Sequence, residues 1–102
     1  WTKEQILSDI QQVIEKLKAI NNNIQLYFLE ITPVALRIDR NNAVIRELNV
    51  FLKENLKSAR WIALDSIFSD HYGKLNLDYT NDGLHLNEQG YQLLEEIIKS
   101  EL

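Results

Sequence analysis

Ile24-Gln25-Leu26-Tyr27-Phe28-Leu29-Glu30-Ile31-Thr32-Pro33 decides the fold class. Apolar side chains nearly fill residues 24–31, interrupted only by Gln25 and Glu30. The run is too short for a buried helix and is rich in aromatic and β-branched residues, which favours a strand. A strand with no polar face is covered on both sides, as in a parallel sheet with helices above and below. Pro33 has no N–H to give to a ladder, so the chain is expected to leave the sheet there.

Upstream, Ile6, Ile10, Val13, Leu17 and Ile20 recur at helical spacing, with Ile14 beside them and Gln11, Gln12, Glu15, Lys16 and Lys18 on the other face. This pattern predicts an amphipathic helix of about five turns. Thr2 and Gln5 have the spacing of a capping box at its start. Asn21-Asn22-Asn23 is expected to end it, because asparagine tolerates the left-handed conformation and competes for backbone hydrogen bonds.

Downstream, residues 34–41 read as irregular. Over residues 42–56, Ile45, Leu48, Leu52 and Leu56 form a second stripe, joined by Val44 and Phe51, and Lys57-Ser58 closes that helix. Trp61-Ile62-Ala63-Leu64 reads as a second strand with Asp65 at its exit. The helix between the two strands gives enough chain for a parallel crossover. Residues 66–81 read as a long loop with single turns, carrying Asp70, His71, Gly73, Asn76, Asp78 and the aromatics Phe68, Tyr72 and Tyr79. Loops of that length are uncommon and are often functional. A last helix is predicted from about Glu88 to Leu102, with Asn87 as N-cap and Tyr91, Leu94, Ile97 and Ile98 facing inward. The order is helix, strand, helix, strand, loop, helix. Two strands are too few to cover the faces of three helices, so the pattern reads as half of an open α/β sheet.

Chemistry concentrates in Asp82-Gly83-Leu84-His85-Leu86-Asn87. An imidazole serves as general base when a carboxylate fixes one ring nitrogen and leaves the other free for a nucleophile's proton. Three residues of separation on a turn that enters a helix let the two side chains meet, and Gly83 permits the tight backbone. On spacing alone, the same pair also reads as a surface Asp–His couple that caps the turn. Other candidates are weaker. Ser66 and Ser69 follow a strand end, where α/β sites form, but no glycine flanks them to build a sharp nucleophile turn. Asp70 and His71 could join Asp82 and His85 as nitrogen and oxygen ligands of a metal. Trp61 and Phe68 read as core, and Glu95-Glu96 as a solvated helix face.

The bulk numbers bound these readings. The 102 residues fit one domain; 45% are apolar and 25% charged, as in ordinary globular proteins. A net charge of −4 and a pI of about 5.1 argue against a nucleic-acid partner. No apolar run approaches the roughly 18 residues that span a bilayer. The absence of cysteine excludes disulfides, thiolate chemistry and cysteine-based zinc sites. No methionine occurs, which leads to the expectation that these residues are part of a longer chain. Compartment and oligomeric state are not readable from the sequence.

The stretch Thr80-Asn81-Asp82-Gly83-Leu84-His85-Leu86-Asn87-Glu88-Gln89-Gly90-Tyr91 closely resembles the final conserved block, D-G-x-H-L-N-x-x-G-Y, of the SGNH hydrolases, the GDSL-type esterases and lipases. Residues 28–34 are similar to that family's fourth strand and proline loop. Residues 42–55 resemble its helix with an N-x-x-L pattern. Residues 61–65 are similar to its strand ending in Asp, and Ser69-Asp70-His71-Tyr72-Gly73-Lys74-Leu75 to the x-D-x-x-G-x-L run that follows. The resemblance implies a flavodoxin-like three-layer α/β fold and a carboxylic ester hydrolase that needs no metal or other cofactor. It places Asp82 as the triad aspartate and His85 as the general base. From their place at the C-terminal end of a strand, Pro33, Val34 and Ala35 read equally as the lining of an acyl pocket or as a plain loop exit, and Leu84 is a further candidate substrate contact. The family's Gly-Asp-Ser nucleophile block, oxyanion glycine and Gly-x-Asn-Asp block have no counterpart in these 102 residues. The resemblance therefore implies the C-terminal portion of one catalytic domain, with the N-terminal half of that domain and a small-molecule ester as its partners. Two other classes stay open from the residues alone: a non-catalytic module binding through residues 66–81, and a metal-dependent hydrolase using Asp70, His71, Asp82 and His85.

Overall fold

In a computed structural model, residues 2–36 and 41–102 are described; Trp1 and residues 37–40 of the proline-loop exit lie outside them. Helix α1 spans Lys3–Ile20. The Thr2 hydroxyl accepts the N–H of Gln5 at 3.1 Å, the forward half of the expected capping box. At the other end Asn21 is extended, with φ −146°, not left-handed. Its side chain instead accepts the N–H of Asn23 at 3.0 Å, an Asx turn that leads the chain away from the helix.

Strand β1, Tyr27–Leu29, pairs in parallel with β2, Arg60–Ile62; Phe28 lies opposite Trp61. Both strands are shorter than the apolar runs predict. Among the described residues β1 pairs only with β2, so its ladder reaches only as far as β2 does. The N–H of Arg60 donates to Leu26 and that of Glu30 to Ile62, carrying the pairing one step past each end. Leu29 is exposed, so the expectation that both faces of this run are covered fails at that position.

Helix α2, Asn42–Asn55, fills the crossover; Asn41 caps it by accepting the N–H groups of Ala43 and Val44. The period-2 alternation of the strands sorts the core into two layers. Phe28 and Trp61 stack with ring centroids 5.1 Å apart. They lie under α1 and α2 with Ile14, Leu52 and Leu56. Tyr27 and Ile62 point to the opposite face, against Leu64, Phe68, Leu75 and the inner side of α4, Glu88–Glu101. The result is three layers, helix–sheet–helix, as the sequence predicts.

The long loop is more ordered than its composition suggests. Short helix α3, Asp65–Phe68, follows β2 at once, and a single 3-10 turn, Leu77–Tyr79, precedes the Asp82 segment. Phe68, fully buried, meets the edge of Tyr79 at 5.5 Å between centroids. Ser69 and Leu75 close the connection between these turns with an isolated antiparallel bridge. Glu30, leaving β1, accepts the N–H groups of Leu64 and Asp65 at 3.0 and 2.6 Å and the indole N–H of Trp61 at 3.2 Å. A carboxylate at the start of α3 thereby satisfies donors that the helix cannot.

Candidate active site

Residues 80–87 form a tight turn between the 3-10 turn and α4. The carboxylate of Asp82 divides its work. Its Oδ1 accepts the backbone N–H groups of Leu84 and His85 at 2.9 and 2.8 Å, which closes the turn. Its Oδ2 lies 2.7 Å from Nδ1 of His85. The turn-capping reading and the imidazole-orienting reading of this pair are therefore both realised, one by each oxygen. The His85 hydrogen bond, followed by the two backbone N–H groups, holds the Asp82 carboxyl well below the usual carboxylate range. The His85 side chain is 74% exposed. An imidazole held in this way at Nδ1 can exchange a proton through Nε2.

The turn is anchored from beneath. Gly83 has φ +83°, and its carbonyl accepts the N–H of Ala35 at 2.8 Å. A Cβ on Gly83 would lie 1.9 Å from the Ala35 carbonyl oxygen, so only glycine lets the two backbones approach this closely. Behind it, Asn42 grips Val34 at both ends: its Oδ1 accepts the Val34 N–H at 2.7 Å and its Nδ2 donates to the Val34 carbonyl at 2.8 Å. Asn49 does the same for Ile31, at 3.1 and 2.8 Å. On the far side, a Cβ on Gly90 would come 2.7 Å from the Tyr79 carbonyl oxygen, which lets α4 sit close on the 3-10 turn. Asn87 accepts the N–H of Gly90 at 2.9 Å and caps α4 as predicted.

The other residues singled out from sequence fall elsewhere. Pro33 and Val34 are buried and Leu84 is half-buried. Ser69 donates to Asp65 Oδ1 at 3.0 Å, and Ser66 is exposed on α3. Asp65 also pairs with Arg46 at 3.1 Å, and Arg46 reaches on to the Gly73 carbonyl. Asp70 caps its own turn by accepting the N–H groups of Tyr72 and Lys74. The Lys74 N–H is the main reason its carboxyl is held below the ordinary range. His71 is exposed beside Tyr72. Among the described residues no three His, Cys, Asp or Glu side chains converge as a metal site, so Asp70 and His71 do not gather with Asp82 and His85. Trp61 and Phe68 belong to the core, as expected. Sequence reasoning missed Asn42 and Asn49, whose side chains bind backbone that no local motif connects to them, and Thr80, whose hydroxyl binds backbone within the Asp82–His85 turn.

A family model for the GDSL-like lipases and acylhydrolases matches residues 1–93. The chain belongs to that family. Among solved structures, a Streptococcus pneumonia protein named for platelet activating factor superposes with a TM-score of 0.89 at 25% identity, over 97% of this chain and 51% of its own. A GDSL-like lipase from Bacteroides thetaiotaomicron superposes with a TM-score of 0.80 at 23% identity, over 99% of this chain and 52% of its own, a likeness of fold alone. The chain is also 43% identical to an N-acylneuraminate cytidylyltransferase of Escherichia coli, over 97% of this chain and 25% of the relative. A Streptococcus agalactiae protein of the same name is 31% identical over 93% and 23%. The chain thus spans about half the length of these solved structures and about a quarter of these curated relatives.

Proposed function

We propose that this chain carries the base-and-aspartate part of a serine ester hydrolase site. The observation that carries the reading is the Asp82 Oδ2 to His85 Nδ1 contact of 2.7 Å on a histidine whose side chain is exposed. In the proposed reaction a serine hydroxyl attacks the ester carbonyl while Nε2 of His85 takes its proton. The tetrahedral adduct collapses, the ester C–O bond breaks, and His85 returns the proton to the departing alcohol. Water then attacks the acyl-enzyme with His85 again as base and releases the acid. Asp82 keeps the imidazole in the tautomer that leaves Nε2 unprotonated and stabilises the imidazolium when it forms. General-base assistance of this kind is worth about 10²–10⁴-fold.

The serine and the oxyanion donors are proposed to come from polypeptide outside these 102 residues, as the other portion of the same domain. An apolar groove of about 270 Å³ between α1 and the starts of the two strands supports this; Ile10, Val13, Ile14, Leu26, Phe28 and Ala59 line it, with Val13 exposed. Leu84 is proposed to touch the acyl group, with the buried Pro33 and Val34 shaping the wall behind it. Because the curated relatives are named for an N-acylneuraminate, an acyl ester on a sugar of that type is the substrate class we favour over a lipid. The test is a fluorophosphonate probe, which forms a covalent adduct only with an activated serine. The intact protein is expected to be labelled, and to release acetate from an acetylated N-acylneuraminate faster than from a lysophospholipid. Absence of labelling would favour a binding module.

A further inference from the structure

Thr80 is one of two buried polar side chains identified in the core, at 4% exposure, and it was not among the residues that the sequence singled out. Its hydroxyl spends both of its hydrogen-bonding capacities inside the Asp82–His85 turn. It accepts the N–H of Gly83 at 2.9 Å and donates to the carbonyl of His85 at 2.6 Å. The same oxygen lies 3.3 Å from Asp82 Oδ1. At the base of the turn, Thr80 and Leu86 form an isolated antiparallel bridge. One oxygen atom therefore fixes the backbone just after Asp82 and the backbone of His85 itself, from the centre of a closed loop. A valine of the same shape would leave the Gly83 N–H and the His85 carbonyl facing a methyl group, and each would have to turn away to find a partner.

We propose that Thr80 is a positioning residue for the general base: its hydroxyl sets the turn geometry that brings Asp82 Oδ2 to His85 Nδ1. This rests on the esterase reading, and the experiment separates the two. In the intact protein, Thr80→Val is expected to lower kcat by about 10²-fold with little change in KM, the scale that misplacing a reacting group costs. Thr80→Ser, which keeps the hydroxyl, is expected to stay near wild type. The low-field proton resonance of the Nδ1–H shared with Asp82 should be present in the wild type and the serine variant and lost in the valine variant. A role confined to stability would lower the melting temperature and leave that resonance and kcat in place. Should the valine variant not fold, Thr80→Ala, which removes the hydroxyl with less crowding, carries the comparison. Wild-type kcat and an intact resonance in Thr80→Val or Thr80→Ala, with His85→Ala inactive, would overturn the role of Thr80 alone. An active His85→Ala would overturn both readings.

Discussion

The backbone of Gly83 rests on that of Ala35 so closely that a Cβ there would come within 1.9 Å of the Ala35 carbonyl oxygen. This contact joins the turn holding Asp82 and His85 to the segment leaving β1, at the carboxyl end of the sheet where α/β sites form. Gly83→Ala adds this clash to a left-handed φ of +83°. Each such strain costs about 1–3 kcal/mol. The variant is expected to lose stability in urea unfolding by at least that much and to lose ester turnover with it. An unchanged midpoint would show that the turn can lift off Ala35 freely.

Asn42 and Asn49 make the same two-point grip on different residues, Val34 and Ile31. Removing either side chain strips partners from a backbone N–H and carbonyl, at about 1–3 kcal/mol for each group left buried and unsatisfied. Both alanine variants are expected to unfold at lower urea. Only Asn42→Ala, whose partner Val34 directly precedes the Ala35 that meets Gly83, should also lower kcat. Equal kcat in the two variants would contradict the link from α2 to the turn.

Asp82 titrates below its ordinary value near 3.8 because His85 and two backbone N–H groups bind its charged form. A depressed folded-state pKa stabilises the fold above the unfolded value, and that stability is lost as pH falls below it toward the folded value. The wild type is therefore expected to lose stability on acidification below about pH 4, and Asp82→Asn to lack that part of the loss. The difference between their urea midpoints at pH 6 and at pH 3 reads this directly. Parallel pH profiles would remove Asp82 as a source of acid sensitivity.

The same variant probes the chemistry. An asparagine at 82 can still cap the turn through its carbonyl, but its amide presents hydrogens to Nδ1 and favours the tautomer that protonates Nε2. Turnover is expected to fall by about 10²–10⁴-fold, less than on removing the imidazole. An unchanged rate would take Asp82 out of the mechanism.

Much of this was legible in the chain. The three long helices follow from 3.6-residue stripes and caps, and Thr2, Asn87 and the stripe of Ile45, Leu48 and Leu52 do what their spacing predicts, whereas Val13 and Ile20 of the first stripe and Tyr91 of the last, expected to face inward, are exposed. The Asp82–His85 meeting follows from three-residue spacing on a glycine turn. Strand lengths were not legible, because a ladder's extent is set by its neighbour: the apolar run at 24–31 pairs only where β2 reaches it. The supports of the site were hidden for a related reason. Asn49 binds Ile31 across 18 residues and Glu30 binds Asp65 across 35, and a polar side chain in a sequence does not reveal whether its partner is water or distant backbone. Thr80 was missed although its partners are near, because a threonine before an Asp-Gly turn looks like any other turn residue.

The most direct measurement is hydrolysis of p-nitrophenyl acetate by the intact protein carrying His85→Ala, with circular dichroism to verify the fold. The His85 side chain is 74% exposed, and its ring nitrogen meets Asp82. The expected result is a folded protein with turnover abolished, a loss that in a cooperating triad reaches about 10⁶-fold. Near-normal hydrolysis by the folded variant would contradict the assignment of His85 as the base.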